Sequence, residues 1–169
     1  AAAQPAGLPP LPLPDGPRVF ETAEQAQVRL VVVTRGLSHP WGLAFLPDGD
    51  LLVTERTGQL RVIRDGVLDA VAVSGVPEVH ARGLAGLMDV ALHPRFADSQ
   101  LVYLTYSKPG DDGVRVALAR GRLDGVSLRD VRDLFVSDPV GGGGTAASRV
   151  VFGTDGTLFM TVGDAFRYG

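Results

Sequence analysis

The sequence predicts an all-β fold, a β-propeller of four-stranded antiparallel blades, and three observations carry that expectation. A phrase recurs: FLPDGDLLVT (Phe45 to Thr54) returns as FGTDGTLFMT (Phe152 to Thr161), with a looser cousin, LHPRFADSQLVYLT, between them. Each copy reads as an apolar strand, a turn and a second apolar strand. Asp48-Gly49 and Asp155-Gly156 suit tight hairpins, because glycine takes the positive φ that such turns demand. The interval is also telling: 47 positions separate Phe45 from Leu92 and 60 separate Leu92 from Phe152. That brackets one four-stranded propeller blade. Finally, the composition is β-rich and turn-rich, with 45% hydrophobic residues, Gly 22 and Pro 12 in 169 positions.

In chain order, residues 1–27 read as a Pro/Ala-rich, mobile leader. Five of its prolines fall between Pro5 and Pro14, which favours an extended chain. It lacks the positive n-region and continuous apolar core of a signal peptide. Ala1-Ala2-Ala3 reads either as what remains after cleavage of an exported protein or as an arbitrary chain boundary. Glu21 to Gln27 is expected to make one helical turn at most.

Residues 28–169 form the propeller portion. Val28 to Thr34 is a β-branched run read as an entering or closing strand. The first blade takes Trp41–Phe45, Leu51–Thr54 and Leu60–Ile63, then the turn Asp65-Gly66 and a fourth strand within Val67–Val73. The second takes Met88–Leu92, Leu101–Ser107, Val114–Leu123 and Arg132–Val136. Val150–Phe152 and Leu158–Val162 open a third, so about two and a half blades are expected, against the four to eight of a closed propeller. On that count the chain reads as the N-terminal part of a longer protein, with the remaining blades beyond Gly169.

Several function classes are excluded. A net charge of −3 gives no basic stripe for nucleic acid. Cysteine is absent, so neither disulfides nor a thiolate metal site can operate. No apolar run approaches the roughly 20 residues that span a bilayer. The glycine run Gly141 to Gly144 is not a phosphate loop, since no Lys-Ser/Thr follows it. Asp111-Asp112-Gly113 lacks the alternating ligands and closing glutamate of a calcium loop and reads as a hairpin tip. His39 and His93, each before a proline, read as structural histidines bonding loop backbone.

GLSHPWGLAFLPDGDLLVTERTGQLRVI, GLMDVALHPRFADSQLVYLTYS and SRVVFGTDGTLFMTVGD, in that order from Gly36 to Asp164, resemble the first three blade phrases of the glucose/sorbosone dehydrogenase family. Those are soluble six-bladed propellers that use pyrroloquinoline quinone (PQQ). The resemblance implies an exported protein, periplasmic or secreted, with PQQ over the central channel and calcium assisting through ligands beyond Gly169. It implies oxidation of an aldose, a small-molecule sugar, at its anomeric carbon. In the family a histidine takes the hydroxyl proton while hydride passes to a quinone carbonyl carbon.

The chain departs from that pattern at two places. The family's catalytic histidine, four positions before the arginine that opens the third blade's strand, falls on Thr145, whose hydroxyl has no titration near neutral pH. The cofactor-contacting glutamine falls on Leu84. His80 and Arg82 lie nearby and are the expected replacements on the same rim, with a solvated loop histidine the plainer alternative for His80. Arg149 suits either a carboxylate of the cofactor or a structural ion pair. Asp164 matches a family aspartate and serves either to shape the pocket or to cap a turn. No metal ligand is expected within the chain. Two readings follow: a PQQ-dependent sugar dehydrogenase with altered polar groups, or a non-catalytic propeller binding a carbohydrate or protein on its loop face. Calcium-dependent lactone hydrolysis is disfavoured, because no cluster of acidic ligands stands in these blades.

Overall fold

A computed structural model of the chain describes residues 12–24, 26–140 and 146–164, apart from the side chains of Val140 and Asp164. The chain divides into two compact units between Arg35 and Gly36. In the first, β1 (Arg18–Phe20) pairs antiparallel with β2 (Val28–Leu30). The strand expected over Val28–Thr34 is therefore short, because its partner offers three residues. The turn expected within 21–27 is not helical among the described residues. The chain reverses there between two paired strands, and Gln27 takes a φ of 62°.

The second unit holds the blades. The first is the meander β3 (Pro40–Phe45), β4 (Leu51–Glu55), β5 (Gln59–Arg64) and β6 (Val67–Leu68). The second is β7 (Leu87–Leu92), β8 (Leu101–Lys108), β9 (Val114–Asp124) and β10 (Ser127–Val140), with the helical turn α1 (Phe96–Ser99) between β7 and β8. The third is one hairpin in two pieces: β11 (Ala146–Ala147) pairs with β14 (Gly163–Asp164), and β12 (Val150–Phe152) with β13 (Leu158–Met160). Two four-stranded antiparallel blades and the start of another make the chain part of a β-propeller, as the repeat predicts.

The turns show why the phrase recurs. Gly49 and Gly156 have φ of 94° and 85°, and the carboxylates of Asp48 and Asp155 accept from the amides of Asp50 and Thr157 at 3.1 and 2.9 Å. The middle copy has no Asp-Gly. There α1 makes the reversal, and Gln100 takes the left-handed φ of 55° that glycine takes elsewhere. Asp65 and Gly66, with φ of 48° and 78°, close the β5–β6 hairpin as a primed turn requires. The fourth strand is shorter than Val67–Val73, yet Val73 still donates to the Leu60 carbonyl, so the segment tracks β5 without a continuous ladder. The outermost strand of blade two is longer than Arg132–Val136 and carries register shifts along β9.

Blades stack face to face because strand side chains alternate. On β8, Val102, Leu104 and Tyr106 join Leu52, Leu60 and Val62 of the first blade, while Tyr103 packs on Val150 and Phe152 of the third. A third cluster of Ala85, Met88, Val116 and Ala146 closes the ends near Trp41.

One threonine per repeat fixes the innermost strand. The amides of Gly42, Asp89 and Arg149 donate to Oγ1 of Thr54, Thr105 and Thr161 at 2.8, 3.0 and 3.0 Å. In the first two blades the ladder breaks at that amide, between Pro40 and Leu43 and between Leu87 and Val90. The threonine hydroxyl satisfies the donor that each bulge frees. No helix among the described residues is long and apolar enough to cross a membrane.

Candidate functional site

Register places the blade ends on one face. Pro40 pairs with Glu55, Leu87 with Tyr106 and Ala146 with Asp164. Leu87 also donates to the Arg56 carbonyl at 3.0 Å, joining the ends of blades one and two. The starts of β3, β7 and β11 therefore share a rim with the ends of β4, β8 and β14.

The loop carrying His80, Arg82 and Leu84 sits on that rim, and Ser107 staples it at both ends. The Ser107 carbonyl accepts from the His80 amide at 2.7 Å, its amide donates to the Gly86 carbonyl at 2.8 Å, and its hydroxyl accepts from the Gly86 amide at 3.1 Å. Gly86 has to be glycine, because a Cβ would stand 2.1 Å from the Arg56 carbonyl oxygen. Between the staples, Ala85 donates to the Arg82 carbonyl, and Arg56 donates through Nη1 to that of Gly83. This turns Arg82 and Leu84 outward. Arg82 is exposed, Leu84 is 61% exposed and His80 is half-buried.

Arg149 reaches the same face from the third blade, with Nε 3.0 Å from Asp89 Oδ2. An ion pair is one of the two roles expected for it. Asp89 carries no mark of its own in the sequence, although its carboxylate links the second blade to the third and lies beside Gly42 of the first. Oδ2 also accepts from the Val150 amide at 2.8 Å, and Oδ1 lies where a Cβ on Gly42 would come within 2.9 Å. The signal was in the repeat, since Gly42, Asp89 and Arg149 are the residues whose amides meet the repeated threonine.

Thr145 and the glycine run Gly141 to Gly144 lie outside the described residues. Asp164 pairs its backbone with Ala146, and its side chain is likewise outside the description. Of the two histidines expected to bond loop backbone, His93 does so, its Nδ1 accepting from the Arg95 amide at 3.1 Å with the ring edge-on to Phe152. The exposed His39 ring instead lies 3.2 Å from the Ser38 hydroxyl, and only its main-chain carbonyl accepts from a loop amide, that of Arg56 at 3.0 Å. Asp112, at the tip between β8 and β9, is held bidentately by Arg115 at 2.6 and 2.8 Å. That hydrogen bond keeps its carboxyl below the usual range. A separate cleft lined by Leu46, Arg64, Phe96 and Leu123 contains none of the expected site residues.

The rim thus carries the exposed Arg82, Leu84 and Arg149 and the half-buried His80. Guanidinium groups can hold carboxylates bidentately and an outward leucine can pack on a ring face.

A profile of the glucose/sorbosone dehydrogenase family matches residues 37–168. The aldose sugar dehydrogenase YliI of Escherichia coli (strain K12) is 42% identical over 147 residues, which is 84% of this chain and 40% of that protein. The crystal structure of the soluble aldose sugar dehydrogenase of Escherichia coli in its apo form superposes with a TM-score of 0.75 at 40% identity. It covers 81% of this chain and 41% of that one. The PQQ-bound aldose sugar dehydrogenase of Streptomyces coelicolor gives 0.65 at 30% identity, covering 81% and 41%. The chain thus spans well under half the length of these relatives.

Proposed function

The chain belongs to the glucose/sorbosone dehydrogenase family, and from that premise we propose that it takes part in PQQ-dependent oxidation of an aldose at its anomeric carbon. The observation that carries the reading is the rim itself. The loop His80–Gly86, stapled by Ser107, and Arg149, paired with Asp89, present cationic and apolar groups on one face of the blades. The PQQ-bound Streptomyces relative supports the choice of cofactor.

In this reading Arg82 and Arg149 hold carboxylates of the cofactor, Leu84 packs on its ring, and Asp164 shapes the pocket wall. Bound PQQ supplies the hydride acceptor. His80 takes the anomeric hydroxyl proton, since an imidazole nitrogen can accept a proton as general base and the threonine hydroxyl that resemblance puts at the family base position cannot do so unaided. The protein is periplasmic or secreted on this view.

The test is a titration of the protein with PQQ and calcium, following cofactor absorbance together with dye reduction by a panel of aldoses. Binding with turnover is expected, and His80→Ala should lower kcat/KM by about 10²-fold or more. Thr145→His combined with Leu84→Gln should raise cofactor affinity or activity; no gain would overturn the assignment of those two positions. Binding without turnover would favour the non-catalytic propeller, to which the apolar Leu84 is suited. Absence of binding would overturn the cofactor assignment.

A further inference from the structure

Gly42, Asp89 and Arg149 are equivalent positions of three successive blades, each presenting its amide to the repeated threonine. Their side chains are used in sequence. Gly42 leaves room for the Asp89 carboxylate, and that carboxylate meets Arg149. The pair runs from interior to surface, the aspartate side chain being 4% exposed and the arginine side chain 73%.

A buried carboxylate needs compensation, and here the Val150 amide and the Arg149 guanidinium supply it. The closest contact is at Nε, an ion pair that no hydrogen bond of the guanidinium to a described residue accompanies. An ion pair to a buried carboxylate that is itself fixed by the Val150 amide keeps the guanidinium, with its two terminal nitrogens, near one place. That is the fork that recognises a carboxylate bidentately. Fixing it beforehand removes the ordering cost that a free arginine side chain would meet on binding.

The geometry points to Asp89 as a positioning residue: it fixes Arg149 so that the Nη edge is a preorganised receptor for a carboxylate of the cofactor. This rests on the cofactor reading above and adds to it a buried residue that never touches the ligand.

The test is a double-mutant cycle on PQQ affinity, with unfolding midpoints measured alongside. Asp89→Asn retains an acceptor for the Val150 amide and removes the charge that holds Arg149. Asp89→Asn and Arg149→Gln should each weaken PQQ binding about tenfold. The double variant should also lose about tenfold, because Asp89 acts only through Arg149. Losses that multiply to about a hundredfold, or an unchanged affinity in Asp89→Asn, overturn the proposal. Arginine side-chain NMR of the unsubstituted protein is independent of cofactor. The Arg149 side chain, its Nε signal assigned with Arg149→Lys, should show a higher order parameter than that of Arg82. Equal order parameters would overturn the positioning role. Absence of PQQ binding together with a restricted Arg149 would instead overturn the cofactor reading and leave Asp89's hold on Arg149 established.

Discussion

Glu55 makes a buried ion pair in the first blade. Its carboxylate accepts from the Ser38 amide and lies 3.5 Å from Arg61 Nη1, the two side chains 2% and 12% exposed. Removing one member of such a pair leaves a buried charge uncompensated, so Glu55→Ala should cost about 3–5 kcal/mol. Arg64→Ala, which breaks ion pairs to Asp50 and Asp69 from a side chain 45% exposed, should cost under about 1 kcal/mol. Urea unfolding of the two variants checks the ordering. Tyr106 is the residue to follow at high pH. Burial raises its phenol pKa first, and its hydrogen bond to the Asp133 carboxylate at 2.7 Å raises it further. A raised folded value means this contribution to stability is fully present below the ordinary phenol range. It is lost as pH climbs above that range, because the unfolded chain ionises first. Stability of the protein should therefore fall above about pH 10, and Tyr106→Phe should flatten that slope. An equal slope in both proteins would place the alkaline sensitivity elsewhere. What is legible at this scale is residue type at a repeat position: the sequence marks Arg149, with an ion pair as one of its two roles. Its partner is not legible, because Asp89 acts on groups 60 and 61 positions later in the chain, reached only when blades stack.

Strands and turns were the most readable parts of the sequence, since alternation and Asp-Gly turns are local signals. The boundaries that differ are those set by partners rather than by propensity. β2 stops where β1 runs out, β6 stops at Leu68, and β10 extends because β9 offers eleven residues to pair with. The α1 turn escaped notice because a four-residue helix shows no periodicity. The threonine that ends each repeated phrase is a prediction in itself. Thr54 and Thr105 are fully buried, and each satisfies a bulge amide. Thr54 also donates to the Met88 carbonyl of the next blade. Valine at either place keeps the shape and orphans the amide, so Thr54→Val and Thr105→Val should each cost about 1–3 kcal/mol. Thr161 is exposed and water can replace its hydroxyl, so Thr161→Val should cost under about 1 kcal/mol. Three equal losses in denaturant titrations would mean that the hydroxyls stabilise the blades by something other than burial of the bulge.

At the scale of the second unit, the stacking of blades decides which faces are dry. The middle blade is covered on both sides: Leu104 and Tyr106 look toward the first blade, and Tyr103 and Leu118 toward the third. Among the described residues of the second unit, the first and third blades each pack against a neighbour on one face. On β12 and β13, Val150, Phe152, Leu158 and Met160 pack inward, leaving Val151 and Phe159 62% and 58% exposed. On β3, Leu43 and Phe45 are 55% and 71% exposed. Alternation makes this unavoidable, because a strand apolar on both faces suits a sheet that is covered twice. Neighbouring large apolar side chains on sheet faces, with a short hairpin at one end, favour contact with a second copy. The 169-residue chain should therefore associate as its concentration rises. Phe45→Lys and Phe159→Lys should suppress that association, and since both side chains are already exposed, each should change stability by no more than about 0.5 kcal/mol. Light scattering across a concentration series, paired with thermal unfolding of the same samples, separates the two effects. Association that persists undiminished in the double variant would show that copies meet through some other surface, and a large fall in midpoint would show that these phenylalanines pack within the unit instead.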